Sequence, residues 1–183
     1  MAGQLSMIRT HMRGIPRGGV PRGYYARRYR RVDAAAWIEI IGRTICEYTE
    51  ERFLNELRNG PYFDAKRLFF IVHRRTGKPV ATACAGWAKP GDCHHGYVHF
   101  LGVLPEHQGK GLGRAIMLIV LRSFARRGVR DAILQTDDFR LPALKIYLEL
   151  GFIPRYMDGD RRDRWTAVFE QLGVPPVEGV EAQ

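Results

Sequence analysis

The sequence predicts a single α/β domain, a mixed β-sheet flanked by helices. Segments of alternating or continuously apolar character take turns with segments of helical periodicity along most of its 183 residues. Two of the helical segments end on a glycine, Gly128 and Gly151, and each leads into a short strand-like run. The apolar share of 45% suffices for one core, and no internal repeat suggests stacked units.

The elements follow in order. Residues 1–31 hold eight arginines and no acid, while the rest of the chain carries 21 basic and 19 acidic side chains, so most of the net charge of +10 sits at the start. Residues 1–23 therefore read as an Arg/Gly-rich arm, a solvated leader, with nucleic-acid phosphate as the alternative contact for its arginines. Tyr24 to Arg31 alternates as an exposed first strand. Asp33 caps a helix whose Ala36, Trp37, Ile40, Ile41 and Ile45 share one face. A second helix runs from about Thr49 to the stop at Gly60-Pro61. "RLFFIVHR" and "PVATACAGWA", joined by "RTGKP", read as a hairpin. "GDCHHG" is a turn and "YVHFLGVL" the next strand. After a glycine-rich stretch comes the apolar helix "RAIMLIVLRSFARRG", then the strand "DAILQT". "PALKIYLELG" is a helix with Pro142 in its first turn. "FIPRYM" and "RWTAVFEQL" read as two final strands, closing the domain at 24–172. Residues 173–183 read as a polar tail with no core to join.

No apolar run is long enough to cross a bilayer; residues 115–121 come nearest, bracketed by Arg114 and Arg122. The basic N-terminus lacks the apolar centre of a signal peptide, so a soluble cytoplasmic chain is expected. Cys46, Cys84 and Cys93 are an odd number at irregular spacing, which suits reduced thiols. "DCHH" has neither C-x-x-C nor H-x-x-x-H spacing, and no metal site is expected.

The glycines of "LPEHQGKGLG" need a reason. A Walker loop fails because Lys110 is followed by Gly111, and a G-x-G-x-x-G fingerprint fails because its third glycine would be Arg114. What remains is a strand ending near Val103, a loop, and a helix starting near Gly113. The first amides of such a helix are unpaired and carry the positive end of its dipole. Glycines let a pyrophosphate reach them, and Lys110 and Arg114 add charge.

In this setting Gln108, Gly111 and Gly113 match Q/R-x-x-G-x-G/A, and Ala143, Tyr147, Gly151 and Phe152 match A-x-x-x-Y-x-x-x-G-F. Together they resemble the acetyl-CoA-binding signature of the GNAT acetyltransferase superfamily, and the resemblance covers about Tyr24 to Leu172. It implies two central parallel strands splayed into a V that holds the pantetheine arm of acetyl-CoA, the cosubstrate. Backbone groups of Leu101, Gly102 and Val103 would line the arm. Gln108, Gly109, Lys110, Gly111, Leu112, Gly113 and Arg114 would hold the pyrophosphate. The family often has Asn where this chain has Arg140, which could reach a CoA phosphate or the acceptor instead.

Acyl transfer from a thioester to an amine needs a base, an oxyanion donor and an acid for the leaving thiolate. The resemblance makes Tyr147 the acid and a backbone amide near Leu101 to Val103 the donor. His99 stands where many members place a glutamate, and its ordinary pKa of about 6.5 suits a base at neutral pH; Glu106, Asp137 and water compete for that role. The function implied is an acetyl-CoA-dependent N-acetyltransferase acting on a primary amine of a small molecule or peptide, as monomer or homodimer. The alternative is a non-catalytic CoA-binding or nucleic-acid-associated module with the same fold. The acceptor would be set by the loop between the first two helices and by Met157 to Arg164.

Overall fold

A computed structural model describes residues 3–58, 64–89, 92–157 and 162–182. Eight strands make one mixed sheet: β1 (Leu5–Arg9), β2 (Tyr24–Arg28), β3 (Leu68–His73), β4 (Pro79–Trp87), β5 (His95–Val103), β6 (Asp131–Thr136), β7 (Ile153–Tyr156) and β8 (Val180–Glu181). Across the sheet they run β2-β3-β4-β5-β6-β1-β7-β8. The helices are α1 (Ala34–Gly42), α2 (α-helical over Glu50–Arg52 and π-type over Phe53–Arg58), α3 (Leu112–Arg126), α4 (Leu141–Glu149) and α5 (Arg162–Leu172).

β4 is buried from Val80 to Gly86, which is why "PVATACAGW" is apolar throughout instead of alternating. Helices α1 and α3 both pack on it. A Cβ on Gly96 of β5 would meet Phe124 of α3 at 2.8 Å, whereas one on Gly102 would meet Ile40 of α1 at 3.0 Å. Six residues apart, these positions share a face in a regular strand. The reversal comes from an extra residue in β5: Thr82 pairs with Gly102 but Cys84 with His99, and Phe100 sits at φ 53. Phe100 is the only non-glycine residue with positive φ among those described. Its ring packs edge-on against Trp37 at 4.9 Å, which holds the bulge in place.

The β5–β6 ladder is parallel but short, pairing His95, Gly96 and Tyr97 with Asp131, Ala132 and Ile133. Beyond Tyr97 the strands separate, so the expected V is present.

Three sequence expectations need correction. Residues 5–9 are not part of a solvated leader. As β1 they pair antiparallel with β6 on one side and β7 on the other, with Leu5 and Met7 fully buried. Residues 12–21 then run along α3: Arg122 donates to the Pro16 carbonyl at 3.1 Å, Gly18 lies against Leu118, and Pro21 lies beside Gly111. "RWTAVFEQL" belongs to helix α5, because Trp165, Val168, Phe169 and Leu172 follow i, i+3, i+4, i+7 and bury one face, outweighing the β preference of its aromatic and β-branched residues. The tail does join the core, with Val174 and Val177 packed against it and β8 paired to β7. The Gly60-Pro61 stop lies outside the described residues, as does Gly91 of the "GDCHHG" turn.

Candidate active site

The gap of the V is a cavity of about 430 Å³. Leu101, Gly102 and Val103 of β5 form one wall and Pro142, Ala143 and Ile146 of α4 the other. Thr44 of the α1–α2 loop lies over Gly102. Because the Leu104 amide donates to Val80 of β4, strand alternation turns the backbone groups of Leu101 and Val103 toward the gap. Val103's carbonyl accepts from Gln108 Nε2 at 2.9 Å, which folds the loop back on the strand end.

Gln108, Gly109, Gly111, Leu112 and Gly113 close one end of the cavity. Gly109 and Gly111 have φ values of 71 and 74, which L side chains rarely adopt. The α3 backbone ladder begins with the Ala115 amide donating to Gly111. The amides of Leu112, Gly113 and Arg114 therefore precede it, at the positive end of a fifteen-residue helix. Lys110 and Arg114 do not line the cavity: the Lys110 ammonium bonds the Glu106 carbonyl at 2.8 Å, and the Arg114 guanidinium stands 4.0 Å from Glu149.

At the other end a smaller cavity of about 150 Å³ brings together His99 of β5, Tyr147 of α4, Gln135 and Thr136 of β6, and Gln4 just before β1. Leu101 and Arg140 line both cavities. Tyr147 is buried, and burial pushes its phenol up to about 12, with Arg140 opposing the shift, so it is protonated throughout the neutral range. Gly151, which ends the same motif, has φ 80, and the Arg9 guanidinium fills the space its Cβ would take while donating to the Leu150 carbonyl. A β1 arginine thus anchors the C-terminal end of the helix that carries Tyr147.

His99 differs from its expectation. Its ring packs between Tyr97 and Phe100 and has no hydrogen-bond partner among the described residues. Burial lowers its pKa from 6.5 to about 4. It is neutral at pH 7 and weakly basic, so an acid limb in kcat/KM set by His99 is expected near pH 4 instead of 6 to 7, and absent in His99→Ala. Stability follows the same sign: an unfolded imidazole takes its proton below 6.5 while the folded one resists until about 4. The stabilisation present above 6.5 is therefore lost through that window. Activity and unfolding measured from pH 4 to 8 in both proteins separate the two effects.

Of the competing bases, Glu106 lines neither cavity and is held by Arg43 in a paired contact of 3.0 Å at the surface. Asp137 accepts from Arg140 Nε at 2.8 Å. Arg140 also donates to the carbonyls of Thr44 and Ile45, at 2.9 and 3.4 Å. The position that departs from the motif therefore ties the α1–α2 loop to the start of α4. Residues 158–161 of the expected acceptor segment lie outside the described residues; Arg164 bonds Asp138 and the Gly3 carbonyl.

Sequence reasoning missed Gln4 and Thr136. The period-two run Leu5, Met7, Arg9 was the signal for the first. Thr136 ends a strand at the open end of a parallel pair, where α/β sheets place ligands.

Known proteins share this architecture. The sequence model of the acetyltransferase (GNAT) family matches residues 34–152. The chain is 33% identical to a mycothiol acetyltransferase of Thermomonospora curvata over 144 residues, covering 75% of this chain and 47% of the relative. A mycothiol acetyltransferase of Streptomyces bingchenggensis is also 33% identical, over 145 residues, 75% of this chain and 46% of the relative. The chain thus spans about half the length of these curated relatives. A GCN5-related N-acetyltransferase from Sphaerobacter thermophilus shares the fold with a TM-score of 0.70 at 22% identity, over 84% of this chain and 49% of that one. Motif, splayed strands and family match agree: the chain belongs to the acetyltransferase (GNAT) family.

Proposed function

We propose that the protein transfers the acetyl group of acetyl-CoA to a primary amine of a small molecule or peptide. The observation that carries this reading is the adjacency of two cavities that share Leu101 and Arg140 as lining, one closed by the glycine loop and the other holding Tyr147 and His99. The relatives' name, mycothiol acetyltransferase, supports acetyl transfer as the reaction class.

Acetyl-CoA supplies an acyl group already activated as a thioester. The chain's residues do the rest. The α3 amides and the glycine loop hold the diphosphate, and the Leu101 and Val103 backbone edges hold the arm in register. The bulge at Phe100 offers strand amides to a developing oxyanion. Tyr147 presents a proton to the departing sulfur, while neutral His99 faces the incoming amine, directly or through water. Since acetyl-CoA is a metabolite of the cytoplasm, the reading places the protein there.

Gly113→Asp tests the cofactor assignment. An added Cβ would lie 3.3 Å from Ile146 Cδ1, a contact the isoleucine end can relieve. A carboxylate in the first turn of α3 stabilises the helix by roughly 0.3–1 kcal/mol, yet sits where the diphosphate must. Calorimetric titration should show acetyl-CoA binding lost with Tm kept, and Gly113→Asn should bind better than Gly113→Asp. Unchanged affinity in the folded Asp variant would remove the diphosphate from this loop.

A further inference from the structure

Acetyl-CoA brings two kinds of phosphate to the protein, and the glycine loop accounts for one. Its amides suit the diphosphate, but the phosphate monoester on the ribose 3′ oxygen, with about −1.5 to −2 charges at pH 7, needs cations of its own. Lys110 is turned to the Glu106 carbonyl, and Arg114 is shared with Glu149. The segment between β1 and β2 reaches this place from outside residues 34–152, which the family model matches. It crosses the N-terminal half of α3. The Pro16 carbonyl accepts from Arg122, and a Cβ on Gly18 would meet Leu118 Cδ1 at 2.9 Å and Arg114 Nη1 at 3.5 Å. The Pro21 ring lies 3.8 Å from the point where Gly111 would carry a Cβ. Tyr24 ends the crossing, its hydroxyl 2.9 Å from Nδ1 of His107, the residue before Gln108. The segment does not line the cavity, so it stands against the outer side of the glycine loop, where the nucleotide of the ligand leaves the cleft.

We infer that Arg17 and Arg22 hold the 3′-phosphate of acetyl-CoA, which makes the segment before β2 part of the cofactor site. The inference rests on the acetyl-transfer reading and adds a specificity to it, for the full cofactor over its 3′-dephospho form. The two arginines flank the crossing; both are exposed, and neither side chain makes an ion pair or hydrogen bond among the described residues. Exposed arginines are common on any surface, but these two are held beside an anion-binding loop by a packed glycine and a packed proline. The first acid of the chain is Asp33, and Arg27 pairs with it at 2.6 Å, so the segment has no carboxylate of its own to neutralise them. A guanidinium can meet two phosphate oxygens at once, which suits a terminal phosphate with three free oxygens.

Calorimetric titration of the full chain with CoA and with 3′-dephospho-CoA is the test. We expect CoA to bind about tenfold tighter or more, the scale of one charge-assisted hydrogen bond, and its advantage to shrink as salt is raised. In Arg17→Ala/Arg22→Ala the Kd for CoA should rise to that for dephospho-CoA, with the dephospho-CoA Kd and Tm unchanged. Arg28→Ala removes the same charge near Arg127, at the far end of α3, and should keep the preference. Equal binding of the two ligands by the parent protein overturns the inference before any variant is made. So does a preference that survives in the double variant, or one that Arg28→Ala abolishes equally, which would make it an effect of net charge. A double variant that loses dephospho-CoA as well places the arginines on the diphosphate or in the fold, and overturns it too. A parent protein that binds neither ligand is a separate result, and it removes the acetyl-transfer reading beneath.

Discussion

A chain lacking residues 1–20 should fail to fold. The deletion takes out a strand hydrogen-bonded on both sides, between β6 and β7, and leaves two inner edges bare. It also removes Leu5 and Met7, each fully buried, and the Arg9 guanidinium that anchors Leu150. Burial of two such apolar side chains is worth roughly 1.5–3 kcal/mol each, and the broken ladders add to that. The total competes with the about 5–15 kcal/mol that holds a typical domain together. Circular dichroism and thermal unfolding of the truncated chain are the check. A cooperative transition near the full-length Tm would mean that β1 is not part of the stable sheet. Met7→Ala offers a graded version, with a loss of about 2–5 kcal/mol.

The second large effect is chemical. Tyr147→Phe keeps the ring, with its neighbour Phe152 at 6.1 Å, and removes only the hydroxyl. With the phenol held protonated, that hydroxyl is the donor available to a departing thiolate. Removing a positioned proton donor costs roughly 10²–10⁴-fold in rate, and turnover should drop by that order while acetyl-CoA affinity and Tm persist. Single-turnover measurement is the proper readout, because slow product release would mask part of the loss. A variant that turns over normally would make Tyr147 a core aromatic and leave the proton to another donor.

Much of the fold could be read from residue types because local chemistry decides it. Gly128 and Gly151 sit at φ 70 and 80 where helices stop, and "DAILQT" forms the strand its apolar run implies. The glycine loop could be read for the same reason, since positive φ at Gly109 and Gly111 leaves little choice of residue. What escaped depends on distant partners. Residue type hides the burial of Arg9: its place is set by a carbonyl at Leu150, and among eight arginines it looked like one more surface charge despite its period-two spacing from Leu5 and Met7. The low pKa of His99 likewise comes from burial, which the assembled fold imposes and the residue types of β5 do not announce. Thr136 could be placed on a strand, but only the assembled fold shows its hydroxyl to be buried without a partner among the described residues.

The position of β1 also sets a timetable. Its five residues are made well before their partners, Ala132–Thr136 and Ile153–Arg155, which lie more than a hundred residues later in the chain. At ribosomal speeds of about 5–20 residues per second, the segment waits on the order of ten seconds before its slot exists. Until then β6 and β7 have no neighbour to separate, and the V above them lacks a fixed arm. Insertion of β1 is therefore a late, long-range step, the kind that slows folding most. The run of arginines that follows it, free of acids, keeps the waiting apolar strand charged and apart from other chains. Until the slot closes it is open to the β1 segment of a second copy, the kind of exposure from which strand exchange starts.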